Sequence, residues 1–131
     1  KFGDVSPESI AKMPLQKQGR VDFLLGNTAI EFAVKVDSDP KYKLLPGSPN
    51  GNSAEVHKLT KHKGKSILVL FDFSRKRSLD DDELYDRYAS HSLGKGNHGR
   101  TAYEIMYFYR DNRGTGCFRK QIRPPRQAAQ R

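Results

Sequence analysis

Residues 19–36 have the sequence GRVDFLLGNTAIEFAVKV, which contains two runs rich in β-forming residues, 20–25 and 28–36. Between the runs stands the pair Gly26-Asn27. Gly and Asn accept the positive φ of a two-residue hairpin turn, so the pattern predicts two antiparallel strands. A turn of this length places Asp22 opposite Glu31.

Side chains along the predicted hairpin alternate between two faces. One face is apolar and is expected to belong to the core; it carries Val21, Phe23, Ile30, Phe32 and Val34. The other face is largely charged; it carries Arg20, Asp22, Glu31 and Lys35, with Leu24, Ala29 and Ala33 among them.

The placement of Asp22 opposite Glu31 needs an explanation. Residues opposite each other on neighbouring strands have Cβ atoms about 5 Å apart, and two carboxylates at that distance repel each other. A divalent cation bound by both would offset the repulsion, and hard oxygen ligands suit Mg²⁺, Mn²⁺ or Ca²⁺. The alternative is an exposed hairpin whose acids are solvated and partly neutralised by Arg20 and Lys35.

An Asp at the end of one strand and a Glu on the next resemble the PD-(D/E)xK nuclease superfamily, which includes restriction-endonuclease-like enzymes and Holliday-junction resolvases. The resemblance implies an α/β fold with a restriction-endonuclease-like core, in which helices flank a central mixed β-sheet. It implies that Asp22, Glu31 and the backbone carbonyl of Phe32 bind Mg²⁺ or Mn²⁺. It also makes Glu8, in a predicted helix over residues 7–13, a candidate further ligand.

The chain departs from that family at the catalytic lysine, because Ala33 stands two residues after Glu31. Lys35 lies one step further along the same face and is the candidate catalytic lysine. Two alternatives are a catalytically inactive binding protein and an engineered alanine in place of the lysine. An Ala33→Lys change is expected to fit without disturbing the core.

The order of the predicted elements supports the resemblance over roughly the first two-thirds of the chain. A loop over residues 37–52 and a helix over 53–63 connect the hairpin to a buried strand over 66–74, a crossover of the parallel type. Further predicted elements are a helix over 78–91 and strands over 101–110 and 117–122. We expect a single domain, residues 1–122, and a basic disordered tail, residues 123–131.

The chain has 24 basic and 15 acidic residues, a formal net charge of +9. This balance favours a polyanionic partner, most commonly nucleic acid, although an acidic protein partner or simple solubility would also account for it. The predicted nucleic-acid contacts are basic side chains: Arg20, Lys58, Lys61, Lys63, Lys95, His98 and Arg100.

The leading functional prediction is therefore a Mg²⁺-dependent endonuclease, with DNA as the favoured substrate. One alternative is a catalytically inactive nucleic-acid-binding module on the same fold. Another is a toxin-type nuclease domain neutralised by an acidic immunity protein. A homodimer is a further option.

Segments that direct a protein to membranes are not evident in the sequence. No apolar run approaches the 18 or so residues of a membrane span, so no membrane association is expected. The expected site of action is the cytoplasm. Because the first residue is Lys, a second expectation is that the chain is a piece of a longer, exported protein.

Overall fold

The computed structural model describes residues 21–91 and 102–123, and within these ranges the chain has α/β architecture with one five-stranded mixed sheet. The strands are β1 (Phe23–Leu25), β2 (Thr28–Lys35), β3 (Lys65–Asp72), β4 (Tyr103–Asp111) and β5 (Gly114–Ile122). Helix α1 (Ser53–Lys61) connects β2 to β3, and helix α2 (Asp81–Ala89) precedes β4. The predicted α/β class and mixed sheet are confirmed.

The strands lie in the sheet in the same order as in the sequence. The predicted hairpin is present, with Phe23 opposite Ile30 and Leu25 opposite Thr28. Gly26 has a φ of 60°, the left-handed conformation that the tight turn requires. Strands β2, β3 and β4 are mutually parallel, whereas β5 returns antiparallel to β4. The predicted parallel crossover from β2 to β3 is therefore also confirmed.

Both described helices cover the same face of the sheet, which we call the helical face. Crossovers between parallel strands share the same handedness. When successive crossovers also proceed in the same direction across the sheet, their helices lie on the same side of it. Val56 and Leu59 of α1 and Leu84 and Tyr88 of α2 are all buried in one cluster. Along each strand, the sheet residues of that cluster alternate with residues that face the other side of the sheet. They include Ala29, Ala33, Leu68, Leu70, Ile105 and Tyr107.

The opposite face of the hairpin, predicted to be core, is buried only in part. Phe23 and Ile30 are buried in a second, smaller cluster. Phe32 and Val34, however, are 37% and 47% exposed, so the prediction that they are core is wrong. The reason is tertiary: the larger cluster formed under the helices, where Ala33 is buried. A hairpin pattern does not state which of its faces the crossover helices will cover.

Serine hydroxyls often accept first-turn N–H groups, so the sequence also predicts Ser53 and Ser78 as the N-caps of the two helices, and neither serine caps its helix in the structure. Ser53 does not cap α1; its hydroxyl accepts a hydrogen bond from the backbone N–H of Gly47 at 2.6 Å. Helix α2 begins at Asp81 rather than Ser78, and its cap is Asp80, whose carboxylate accepts the N–H of Glu83 at 2.7 Å. A loop residue therefore competes with the helix for Ser53, whereas a strand carboxylate, Asp72, competes for Ser78.

Ser78 instead binds Asp72, a buried carboxylate at the end of β3. Oδ2 of Asp72 accepts the backbone N–H and the hydroxyl of Ser78 at 2.9 and 2.6 Å, and the hydroxyl of Tyr107 at 2.7 Å. Oδ1 accepts the backbone N–H of Ser74 at 3.1 Å. Burial alone would raise the pKa of Asp72, but these hydrogen bonds outweigh it and leave the pKa lowered. Asp72 thus fixes the segment that leads from β3 to α2.

Some of the sequence predictions fall on residues outside the described ranges. These are the helix over residues 7–13 with Glu8, the basic residues Arg20, Lys95, His98 and Arg100, and residues 124–131 of the predicted tail. Within the described residues, neither helix has the length and apolar character that crossing a membrane requires.

Candidate functional site

The two acids singled out in the sequence lie side by side across the hairpin. Asp22 comes directly before β1, and Glu31 lies in the middle of β2. Oε2 of Glu31 accepts the backbone N–H of Asp22 at 2.6 Å, and Oδ2 of Asp22 accepts the backbone N–H of Phe32 at 3.1 Å. Each carboxylate is therefore held by the backbone of the opposite side of the hairpin. Glu31, which alternates with Ala29 and Ala33 along β2, lies on the helical face of the sheet.

Glu31 is an acidic residue that is completely buried, with a relative exposure of 0%. Burial is the largest cause that raises its pKa, and the negative charge of Asp22 raises it further. The hydrogen bond from Asp22 and the charge of Lys58 oppose these effects, while Glu55 adds to them. The resulting pKa is about 8, so Glu31 is mostly protonated at neutral pH. A cation placed between the acids would favour the ionised form.

Helix α1 brings a lysine to this acid pair. Nζ of Lys58 lies 3.9 Å from Oε1 of Glu31, and its side chain is only 13% exposed. Glu55, three residues earlier, lies on the same side of the helix and contributes to the electrostatics of Glu31. The sequence pattern assigned Lys58 to a basic nucleic-acid surface, while the resemblance also allowed Glu55, His57 or Lys58 to point toward the metal site from this helix. The structure places Lys58 beside the acids.

Lys35, the predicted catalytic lysine, is held elsewhere. Its Nζ donates a hydrogen bond to the carbonyl of Asp39 at 2.7 Å, in the loop that follows β2. The structure therefore brings together Asp22, Glu31 and Lys58, and directs Lys35 toward the loop.

Ala33 has no room for the lysine that the resemblance implies. It is 5% exposed and packs in the larger cluster between the sheet and the helices. A lysine stem there would overpack the cluster, which typically destabilises a core by about 1–3 kcal/mol. The expectation that Ala33→Lys fits without disturbing the core is wrong, because α1 covers this part of the face.

Two further predicted nucleic-acid contacts, Lys61 and Lys63, are exposed at the end of α1 and just beyond it. They remain surface cations near the helix that carries Lys58. The ring of the neighbouring His57 stacks on His91, with centroids 5.7 Å apart.

The oxygen donors at the acid pair suit a hard cation. Phe32 directs its N–H toward Asp22, and the N–H and C=O of one strand residue point toward the same neighbouring strand. The Phe32 carbonyl thus lies on the Asp22 side as well. Two carboxylates and a carbonyl fit Mg²⁺ or Mn²⁺ better than thiophilic metals. In the described part of the chain no three His, Cys, Asp or Glu side chains cluster for a metal, so water would complete the coordination.

Comparison with protein-family models, with curated proteins and with solved structures finds no match to this chain. The function must therefore be inferred from the chemistry of the site.

The raised pKa of Glu31 predicts an unusual dependence of stability on pH. An unfolded glutamate releases its proton near pH 4.5, whereas folded Glu31 keeps it up to about pH 8. Between these values the folded state binds more protons, so its stability falls as the pH rises. Glu31→Gln cannot ionise and should escape this loss. We expect the stability of the variant relative to the natural chain to increase by on the order of 4 kcal/mol between about pH 4.5 and pH 8.

The measurement is denaturant unfolding of both proteins across this pH range, in the presence of a chelator. Glu83→Gln, which alters an exposed acid in the first turn of α2, is the matched control and should show no such trend. A constant difference between Glu31→Gln and the natural chain at all pH values would contradict the prediction.

Proposed function

We propose that this chain is a metal-dependent nuclease with a restriction-endonuclease-like core, acting on phosphodiester bonds, with DNA as the favoured substrate. The observation that carries the proposal is the buried carboxyl of Glu31 beside Asp22, with the Lys58 ammonium 3.9 Å away. Two acids and a lysine on neighbouring elements are the residue types that the resembled superfamily uses.

A purely structural role does not account well for the buried carboxyl of Glu31. An acid whose pKa is raised to about 8 destabilises the folded protein at neutral pH, and an uncharged side chain would serve the hairpin better. Strongly shifted pKa values gather at functional sites, where burial and like charges are arranged for chemistry. The same features that weaken the fold prepare the pair to bind a cation.

Asp22, Glu31 and the Phe32 carbonyl are the groups that would hold Mg²⁺ or Mn²⁺. When bound, such an ion supplies Lewis acidity and lowers the pKa of water. Because Glu31 must lose its proton to bind a cation, the affinity should increase as the pH rises toward about 8. Asp22, the partly exposed acid, gives access from solvent.

Lys58 is the residue that we assign to the phosphate. Its side chain is only 13% exposed, and a charge in a site of low dielectric stabilises developing negative charge more strongly than it would in water. It takes the role that the resembled superfamily gives to the lysine two residues after the Glu. Exposed Lys61 and Lys63 and the net charge of +9 would attach the nucleic-acid backbone, with an affinity that falls steeply with salt.

A nucleic-acid-binding module without catalysis is the second candidate, and the alanine at position 33 favours it. In this case the acid pair would bind a cation that supports phosphate binding, and no bond would be cleaved.

The test is cleavage of labelled single- and double-stranded DNA and RNA with Mg²⁺, with Mn²⁺ and with a chelator. Asp22→Asn removes one charge with little change in size and serves as the inactive control. We expect metal-dependent cleavage by the natural chain and none by the control. Binding without cleavage under all these conditions would leave the binding module, and no binding even at low salt would remove nucleic acid as the partner.

A further inference from the structure

The sheet face opposite the helices carries a row of phenylalanine rings, which we call the phenylalanine strip: Phe32, Phe71, Phe73 and Phe108. The ring of Phe71 is central, with centroids 6.2 Å from Phe32, 6.0 Å from Phe73 and 5.5 Å from Phe108. In each of these pairs the ring planes are inclined by no more than 18°. The strip therefore spans three adjacent strands and continues just beyond the end of β3.

Part of this strip is open to solvent. Phe73 is 50% exposed and Phe32 is 37% exposed, with Val34 beside them at 47%. A cavity of about 570 Å³ is lined by Phe71, Phe73 and Phe108. Contiguous exposed apolar surface of this kind commonly marks a binding site.

Basic side chains gather at the same end of the sheet. Arg110 lines the cavity and donates a hydrogen bond to the carbonyl of Phe73. Exposed Arg75 and Lys76 follow Phe73 in the chain, and Arg113 lies in the turn between β4 and β5.

The acids in this region only partly offset those four cations. Asp37 accepts the backbone N–H of Arg75 at 3.0 Å, and Asp111 accepts the backbone N–H of Arg113 at 2.8 Å. Asp72 also lines the cavity, but it is buried and its oxygens accept hydrogen bonds from Ser74, Ser78 and Tyr107. Four cations against three acids leave this end of the sheet with a net positive charge beside an aromatic surface.

We infer that the phenylalanine strip and its cavity bind unpaired nucleotides of single-stranded nucleic acid. Bases stack on Phe73 and Phe32, and phosphates lie near Arg110 and the neighbouring cations. Exposed aromatic rings on a sheet, flanked by cations, are the combination that recognises unstacked bases with little sequence preference. Aliphatic side chains would provide apolar area but no stacking partner.

This site is distinct from the acid pair, because Glu31 lies on the helical face beside Lys58 whereas the strip lies on the other face. The inference rests on the nucleic-acid partner of the proposed function and is independent of cleavage. A single-stranded segment bound here would anchor a substrate that also reaches the helical face.

The experiment is fluorescence anisotropy of a labelled oligothymidine and of an abasic oligomer of equal length, both with a chelator present so that no cleavage occurs. We expect Phe73→Ala to weaken oligothymidine binding about tenfold or more. Phe73→Leu, which keeps apolar area, should weaken it similarly, and Phe73→Tyr should restore it. Leu24→Ala, at a residue 53% exposed on the other face of the hairpin, is the matched control and should bind normally.

The natural chain should prefer oligothymidine over the abasic oligomer, and Phe73→Ala should lose that preference. Equal affinity of Phe73→Ala and the natural chain for oligothymidine would overturn the inference. A dimer of the natural chain that Phe73→Leu retains, together with unchanged oligonucleotide affinity, would instead identify the strip as a contact between two copies. Because the chelator prevents cleavage, loss of stacking in this assay is measured separately from any loss of cleavage.

Discussion

Lys58→Ala is expected to reduce metal-dependent cleavage by a factor of about 100 or more, the usual effect of removing one group that stabilises transition-state charge. Its ammonium lies 3.9 Å from the Glu31 carboxylate, and the Lys58 side chain is only 13% exposed. Because this charge is preorganised beside the acid pair, its loss should lower kcat more than it raises KM. The measurement is single-turnover cleavage of labelled DNA, with saturating enzyme and a fixed concentration of Mg²⁺.

Two matched variants separate this role from general attraction to a polyanion. Lys61→Ala removes an exposed lysine one turn further along α1, and should weaken binding slightly at low salt without changing the cleavage step. Lys35→Ala removes the lysine that donates to the carbonyl of Asp39, and should have a similarly small effect. If Lys35→Ala abolished cleavage while Lys58→Ala did not, the assignment of Lys58 would be wrong.

Asp72→Ala is expected to destabilise the fold by about 3–5 kcal/mol, the range typical of a broken buried polar network. The carboxylate accepts hydrogen bonds from Ser78 and Tyr107, and both would lose a buried acceptor at once. The buried Tyr107 hydroxyl and the buried Ser74 N–H would be left unpaired, at a cost of about 1–3 kcal/mol each, whereas exposed Ser78 can bond to water instead. Denaturant unfolding measures the change, and Asp82→Ala, at an exposed acid of α2, is the control with an expected cost below about 1 kcal/mol.

The difference between the natural chain and Asp72→Ala should shrink in acid. Since the folded-state pKa of Asp72 is lowered, its ionised form stabilises the protein fully above the unfolded pKa near 3.8. That stabilisation disappears as the pH falls through the lower folded value. A difference in stability that is constant down to acid unfolding would show that the charge of Asp72 contributes nothing.

The local sequence determined the hairpin and the register that sets Asp22 beside Glu31. Gly26 takes the positive φ of the turn, and a two-residue turn leaves one register. The apolar run of β3 and the spacing between β2 and β3 likewise predicted a parallel crossover. These features depend on neighbours within a few residues, or on connection rules that hold for any chain.

Tertiary structure decided which face of the hairpin became the larger core and which lysine joined the acids. Whether the helices cover Ala33 or Val34 depends on the handedness and direction of two successive crossovers. The alternation of side chains along β2 carries no information about either. Lys58 reaches Glu31 only because α1 packs on that face, although the two residues lie far apart in the sequence. Ser78 left its predicted cap for the same kind of reason, since a buried carboxylate on β3 binds a hydroxyl more strongly than a helix end in water does. Contacts of this kind are selected by packing, whereas turns and strand periods are fixed by the backbone itself.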